Sequence, residues 1–219
     1  MPRSRPQGGT RTALMDAALA LVAAGHSLGA LSLRQLTREV GIVPTAFYRH
    51  FPDMETLGLA LVAESMHSLR QLLRAARRED LSGSDVIRRS VEILVRHVHA
   101  NRLHFGFIAR ERHGGNAAVR GAIRQELRLF ESELATDLAR FPILERWSTE
   151  DLQMLAGLLV NAMVSTAESI LDAPARDSRE EAAIVATTEK QLRLIMLGVP
   201  HWRSDASDRK GKDTRAEGA

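Results

Sequence analysis

Residues 31–57, LSLRQLTREVGIVPTAFYRHFPDMETL, hold two short helical patterns separated by a glycine. Ser32 and Gln35 have the spacing of a capping box, in which a hydroxyl and an amide side chain each take a free backbone N–H. The spacing predicts a helix that begins after Ser32 and ends at Gly41, because glycine readily adopts the left-handed conformation that terminates helices. The apolar residues of this helix are predicted to share one face, and they are Leu33, Leu36 and Val40.

A second short helix follows the glycine turn. Pro44 suits its first turn, where no amide donor is missed, and Pro52 ends it. Phe47 and Phe51 lie four positions apart and therefore share an inner face. This order of elements is that of a helix-turn-helix. The outer face keeps short or hydrogen-bonding side chains that would let the backbone approach base edges closely, and these are Thr45, Ala46, Arg49 and His50.

Two short helices with a glycine turn also occur in proteins that do not bind DNA, so the charge of this segment matters. Residues 1–51 carry six arginines against two acids, an excess of four, in a chain whose net charge is +3. A locally basic segment suits phosphate neutralisation, although a solvated basic face has the same composition. The charged residues are Arg3, Arg5, Arg11, Arg34, Arg38, Arg49, Asp16 and Glu39.

Helical spacing of aliphatic residues continues along most of the chain, and long alternating β-branched runs are lacking. The predicted fold class is all-α, with about nine helices. We expect a three-helix N-terminal domain over residues 1–52, a larger helical domain over 53–200, and a polar disordered tail over 201–219. The predicted helices cover about 10–25, 32–41, 44–51, 53–78, 85–100, 103–112, 116–140, 149–172 and 178–197.

Composition excludes several classes of protein. The chain has no cysteine, so disulfides and thiolate metal sites are excluded. The longest apolar stretch, residues 154–164, is shorter than a membrane span and is interrupted by Asn161. With no apolar run of signal-peptide length near the N-terminus, we expect a soluble cytoplasmic protein without a membrane partner.

The helix-turn-helix resembles the DNA-binding domain of the tetracycline-repressor (TetR) family. The resemblance rests on residues 31–41, the Phe47–Tyr48 and His50–Phe51 pairs, and the D-x-E-x-L pattern at 53–57. It implies that the first three helices bind DNA and that the remaining helices form a ligand pocket and a dimer interface. A two-fold dimer would place two recognition helices in successive major grooves, so the operator would be an imperfect palindrome.

The resemblance also implies roles for individual residues. Thr45 and Ala46 would face bases, and Tyr48 and His50 would donate to phosphates. Arg34 and Arg49 would each reach a base or a phosphate. Pro44 stands where the family commonly has a polar residue, which removes one base contact and one backbone donor. Met54 stands where a phosphate-binding lysine is frequent, so that contact is in doubt.

The region after residue 57 offers no phosphate loop, nucleophile elbow or metalloprotease motif, so we do not predict an enzyme. Arg110 and Arg112 precede a break at Gly114–Gly115. They are interpreted either as a charged helix end or as an anion clamp at the mouth of an apolar pocket. The histidines at 97, 99, 104 and 113 lack acidic partners at ligand spacing, so pocket or surface positions are favoured over zinc, and no metal or cofactor is predicted.

Segments 57–77, 84–90 and 109–120 resemble the bacterial repressors of unsaturated fatty-acid synthesis within the same family. This resemblance implies that the larger domain senses a long-chain acyl-CoA or acyl-carrier-protein thioester. Each apolar candidate is interpreted either as part of the ligand wall or as plain core. The candidates are Leu69, Leu73, Leu94, Val98, Phe105, Phe107, Ile108, Arg110, Arg112 and Met163.

The eighth predicted helix is apolar on several faces, with Leu158 off its main stripe, and the ninth presents one stripe that includes Ile184, Leu192 and Ile195. They form either an intrachain core pair or, as the resemblance implies, half of a four-helix dimer interface. The candidate interface residues are Leu152, Leu155, Leu159, Met163, Ile184, Leu192 and Ile195.

These expectations describe a ligand-responsive, homodimeric transcriptional repressor of fatty-acid metabolism genes. The alternatives are a regulator of another regulon with a different apolar ligand and, from another class, an acyl-chain carrier or enzyme. Whether the protein represses or activates depends on where the operator lies relative to the promoter.

Overall fold

The computed structural model describes residues 9–78, 86–173 and 178–204, without the side chains of residues 72–78 and 178. The described residues are helical and contain no strand, which confirms the predicted all-α class. Short 3₁₀ turns occur at Leu28–Ala30, Pro142–Leu144 and Val199–His201. The helices of the described part are α1 (Thr10–Ala23), α2 (Leu33–Val40), α3 (Pro44–Phe47), α4 (Met54–Arg78), α5 (Val86–Ala100), α6 (Arg102–Glu111), α7 (Ala117–Leu138), α8 (Thr149–Asp172) and α9 (Ser178–Gly198).

The helix ends follow from local chemistry. The backbone N–H of Gln35 donates to the Ser32 hydroxyl at 3.1 Å, as the predicted capping box requires. The reciprocal half of the box is replaced, since the Gln35 amide lies 3.5 Å from the ring of His26. Gly41 ends α2 with φ of +76°, a conformation that glycine adopts without strain. Asn101 separates α5 from α6, as expected.

The chain divides into two compact units. The first contains α1–α4, α6 and the adjoining parts of α5 and α7, within residues up to 78 and 95–127. The second contains α8, α9 and the remaining parts of α5 and α7. The boundary predicted at Pro52 divides the helix-turn-helix from the later helices according to their expected functions. It stays a prediction. The predicted break at 80–85 lies outside the described residues, as does the predicted 201–219 tail from residue 205 onward. The first residues of that predicted tail are described, since Val199–His201 form a 3₁₀ turn and residues 202–204 follow it.

In the first unit, α1 packs against α2, α4 and α6, and α4 also packs against α6. The Leu28–Ala30 turn, which connects α1 to α2, is anchored by the buried Leu28 side chain. Gly58 on α4 lies directly beneath it: a Cβ at this position would come within 2.6 Å of Leu28 Cδ2 and 2.8 Å of Val119 Cγ2. Only glycine therefore permits this close approach of α4, the turn and the start of α7.

We expect Gly58→Ala to destabilise the protein by about 1–3 kcal/mol, because both clashing side chains are buried and Val119 is held to one helical rotamer. Gly121→Ala on α7 is the matched control, since no atom lies within 4 Å of its Cβ. The control gains about 0.5–1 kcal/mol from helix propensity. Denaturant unfolding measures both. Equal stabilisation by the two alanines would contradict the close packing at Gly58.

In the second unit, α8 and α9 pack against each other. Ser148 caps α8 by accepting the N–H of Asp151 at 3.0 Å. The Asp151 carboxylate accepts hydrogen bonds from the hydroxyls of Ser204 and Ser148, which lowers its pKa. The C-terminal segment thereby returns to the start of α8, where the ring centroids of Trp202 and Trp147 lie 6.4 Å apart. Among the described helices, α8 alone is long and apolar enough to cross a membrane, but its buried residues face α9 and the core.

Candidate nucleic-acid interface

The second helix of the motif is a single turn followed by a tight loop. Pro44 occupies its first turn, as predicted. Beyond Phe47 the chain continues as turns, with the N–H of His50 donating to the Phe47 carbonyl at 2.8 Å. Phe47 and Phe51 are both buried, and their ring centroids lie 5.8 Å apart. The two phenylalanines hold this segment against the first unit and leave the opposite side to solvent.

The solvent side carries the predicted DNA-binding residues. Tyr48 is 59 % exposed, and its ring meets the edge of Phe47 at a centroid distance of 5.6 Å. Because Phe47 is buried, this contact orients the tyrosine ring while its hydroxyl remains outside. Arg34 on α2 is exposed as well. On and after α3, Pro44, Thr45 and Arg49 are exposed and Ala46 and His50 are half-buried.

For two residues near this surface, the structure shows a contact or an exposure that the sequence does not indicate. The guanidinium of Arg11 lies 4.9 Å from the centre of the Phe51 ring, a cation–π contact that ties α1 to the end of the motif. In the sequence, Arg11 only adds to the basic charge of residues 1–51. Val43, directly before α3, is 64 % exposed and could contact a thymine methyl group.

The next helix, α4, begins directly after this segment. The Thr56 backbone N–H donates to the Asp53 carboxylate at 2.7 Å, and this bond lowers the Asp53 pKa. Asp53 thus caps α4. The half-buried Met54 occupies the position that often carries a phosphate-binding lysine in the resembled family.

The candidate effector residues are divided between the two units. Leu69, Val98, Phe105, Phe107 and Ile108 are buried in the first unit. Leu94 is buried and Met163 half-buried in the second. The side chain of Leu73 lies outside the described residues. Burial suits both a ligand wall and a plain core, so these positions stay predictions.

The polar candidates near these residues have intrachain contacts. A Cβ on Gly25 would lie 3.8 Å from Nη1 of Arg110, which places this guanidinium over the end of α1. Arg112 donates to the ring of His113 at 2.9 Å. On α6, His104 shares a 3.1 Å hydrogen bond with the fully buried Ser65, and partial burial lowers the His104 pKa. No group of three potential metal ligands occurs among the described residues.

The predicted dimer residues lie on α8 and α9, but several face inward. Leu152 and Leu155 belong to the core of the second unit, against which Leu159 and Ile195 pack. Leu192 is also buried, and Ile184 and Met163 are half-buried. Such side chains can offer a partner little surface. The exposed apolar side chains of the same helices are Met154, Leu158, Leu194 and Leu197.

Comparison with known proteins agrees with this architecture. Residues 14–61 match the family model of bacterial regulatory proteins of the tetR family. Residues 84–198, just over half of the chain, match the model of the tetracyclin repressor-like C-terminal domain.

Solved structures share the fold. A TetR-like transcriptional regulator from a Rhodococcus species matches with a TM-score of 0.64 at 18% identity, over 90% of this chain and 99% of that one. A transcriptional regulator from Pseudomonas aeruginosa matches with a TM-score of 0.60 at 19% identity, over 88% and 93%. The fatty acid degradation regulator FadR from Bacillus halodurans matches with a TM-score of 0.59 at 17% identity, over 85% and 95%.

Regulators of this family are generally non-enzymatic, bind operator DNA as dimers, and typically take effector ligands without a cofactor. The helix-turn-helix in the first unit and the two family matches lead to one conclusion: this chain belongs to the TetR family of transcriptional regulators.

Proposed function

We propose that this chain is a homodimeric cytoplasmic repressor that binds a palindromic operator and responds to a long-chain acyl thioester. The observation that carries operator binding is the exposed Tyr48–Arg49 face supported by the buried pair Phe47 and Phe51. A recognition surface needs exposed side chains on a backbone that is held in place by packing. This segment meets both requirements.

The proposed DNA contacts combine the roles that the family resemblance implies with side chains that are exposed or half-buried. Tyr48 and His50 donate to phosphates, while Arg49 and Arg34 reach a base edge or a phosphate. Thr45 and Ala46 are small enough for close approach to bases, and Pro44 sets the first turn without a backbone donor. In the dimer, the two recognition segments lie about 34–36 Å apart, or a multiple of that, to match successive major grooves.

The dimer is proposed to form through α8 and α9. Met154 and Leu158 lie four positions apart on α8, and Leu194 and Leu197 lie three apart on α9, so each pair shares one exposed face. Exposed apolar faces on two packed helices are what a four-helix interface buries. We therefore move the interface from the inward residues Leu152, Leu155 and Leu192 to these four side chains.

The acyl effector rests on sequence similarity and on the composition of α4 to α6. Segments 57–77, 84–90 and 109–120 resemble repressors of unsaturated fatty-acid synthesis. The buried candidates on these helices are aliphatic or aromatic, as an acyl chain requires. One protein of the same fold is a fatty acid degradation regulator, a likeness of fold alone at 17% identity. Arg110 and Arg112 would meet the phosphates of the coenzyme or carrier.

The test is operator affinity with and without acyl thioesters. DNA from upstream of the protein's own locus is titrated by fluorescence anisotropy in the presence of palmitoyl-CoA, oleoyl-CoA, coenzyme A or free fatty acid. An effector must bind the two conformational states differently, so at least one long-chain thioester should change operator affinity about 5–150-fold. Coenzyme A alone should have no effect.

Each outcome has a clear meaning. Operator binding without any response to thioesters would contradict the acyl effector and favour a different apolar ligand. A chain that binds thioesters but no palindromic DNA would favour the acyl carrier. The sign of the change distinguishes an inducer from a co-repressor.

A further inference from the structure

Glu111, the last residue of α6, is fully buried. Its Oε1 accepts the backbone N–H of Leu28 at 2.8 Å, across 83 positions of sequence. Leu28 opens the short turn that connects α1 to α2. The carboxyl group therefore joins the end of α6 directly to the backbone that leads into the helix-turn-helix.

The other oxygen of this carboxyl group has an unusual environment. Oε2 is buried and has no hydrogen-bond partner. A Cβ on Gly114 would lie 2.3 Å from it, so only a glycine leaves room for the carboxyl group. Burying an unpaired carboxyl oxygen is costly, and a buried polar atom without a partner in a native protein calls for an explanation. Stability alone does not supply one.

The Leu28 turn lies directly before the helix-turn-helix, and this location explains why the carboxyl group is kept there. Three residues after the turn begins, Leu31 leads into Ser32, the cap of α2. The Leu28 side chain closes over Gly58 of α4, and its backbone N–H is held by α6. The turn is thus fixed from both sides, and any shift of it moves α2 and the attached α3.

We propose that Glu111 is a positioning residue for operator binding: through the Leu28 amide it holds the helix-turn-helix in place on α6. This inference rests on the proposed operator binding. Glu111 touches no DNA and acts only by fixing the turn. Gly114 contributes to this positioning, because its lack of a side chain leaves the space that the Glu111 carboxyl group occupies.

Two pairs of variants test the proposal. Glu111→Gln keeps an amide oxygen for the Leu28 N–H, and we expect operator affinity within about 3-fold of wild type. Glu111→Met has similar length without an oxygen acceptor, its sulfur being only a weak acceptor, and should weaken operator binding at least about 10-fold. Gly114→Ala should also weaken binding by pushing the carboxyl group off Leu28. Gly115→Ala is its control, because no atom lies within 4 Å of its Cβ.

Two further measurements separate positioning from stability. Amide hydrogen exchange at Leu28, followed by NMR, should speed up in Glu111→Met and Gly114→Ala and stay slow in Glu111→Gln and Gly115→Ala. Melting temperature should change little in Glu111→Met, by no more than about 4 °C, because losing the unpaired oxygen offsets the freed Leu28 N–H.

Wild-type operator affinity in Glu111→Met, or slow Leu28 exchange in that variant, would overturn the proposal. So would equal loss of binding in Glu111→Gln and Glu111→Met. A wild-type chain that binds no palindromic DNA would refute the proposed function, and this inference with it.

Discussion

Replacing Tyr48 and Arg49 together by alanine should lower operator affinity at least about 30-fold, because each side chain is proposed to make a contact worth about 1–3 kcal/mol. Both side chains are exposed on a segment whose inner residues are buried. The effect should therefore appear in binding and not in folding. Fluorescence anisotropy over a range of salt concentrations measures the affinity, and circular dichroism measures the folded state.

Single variants separate the contribution of Tyr48 to operator affinity from that of Arg49. Tyr48→Phe keeps the ring that contacts Phe47 and removes only the hydroxyl. If that hydroxyl donates to a phosphate, affinity falls about equally for all sequences. Arg49→Ala should lower the slope of log affinity against log salt by about 1 if the arginine meets a phosphate, and relax sequence preference if it meets a guanine.

Arg124→Ala is the matched control. Arg124 is an exposed arginine of α7, so the variant removes the same charge from the first unit outside the motif. Operator affinity should change by less than about 3-fold, because distant surface charges are screened. A loss as large as that of Arg49→Ala would mean that overall charge, and not the Tyr48–Arg49 face, governs binding.

Replacing Leu194 and Leu197 by glutamate should convert the dimer to a monomer. These side chains are 72 % and 69 % exposed, and in the proposed interface they are buried. An unpaired carboxylate in such an interface costs about 3–5 kcal/mol, so the dimer constant should weaken at least about 100-fold. Sedimentation or light scattering at micromolar concentration measures the mass.

The same variant should lose operator binding, although its recognition surface is intact. A dimer engages its second half-site at a high effective concentration, which raises affinity by about 100- to 10,000-fold. Leu103→Glu is the control, since Leu103 is an exposed leucine of α6 in the first unit. It should remain dimeric. A Leu194→Glu/Leu197→Glu variant that stays dimeric would contradict the proposed interface.

Local chemistry made most of the helix boundaries predictable. Ser32, Gly41, Asp53 and Ser148 each act at a helix end through contacts within a few residues, so sequence spacing alone identifies them. The inner pair Phe47 and Phe51 followed from a four-residue spacing for the same reason. The predicted DNA-facing residues of α3 and of the turns after it were then what remained on the other side.

Long-range packing was not predictable in this way. Helix α8 is apolar around much of its circumference, and periodicity cannot tell which apolar stripe meets its own chain. The structure places Leu152 and Leu155 in the core and leaves Met154 and Leu158 exposed. Likewise, the sequence shows Arg11 only as one of six arginines in residues 1–51, and only the fold brings its guanidinium to the Phe51 ring.

By itself, the sequence determined the all-helical class, the helix-turn-helix and the polar face of its second helix, because capping and periodicity act over a few residues. Only the tertiary structure decided which apolar faces remain exposed and what Glu111 does. In the sequence, Glu111 is an acid between two arginines at a helix end. Its burial and its bond to Leu28 depend on an approach between residues 83 positions apart, which no local pattern encodes.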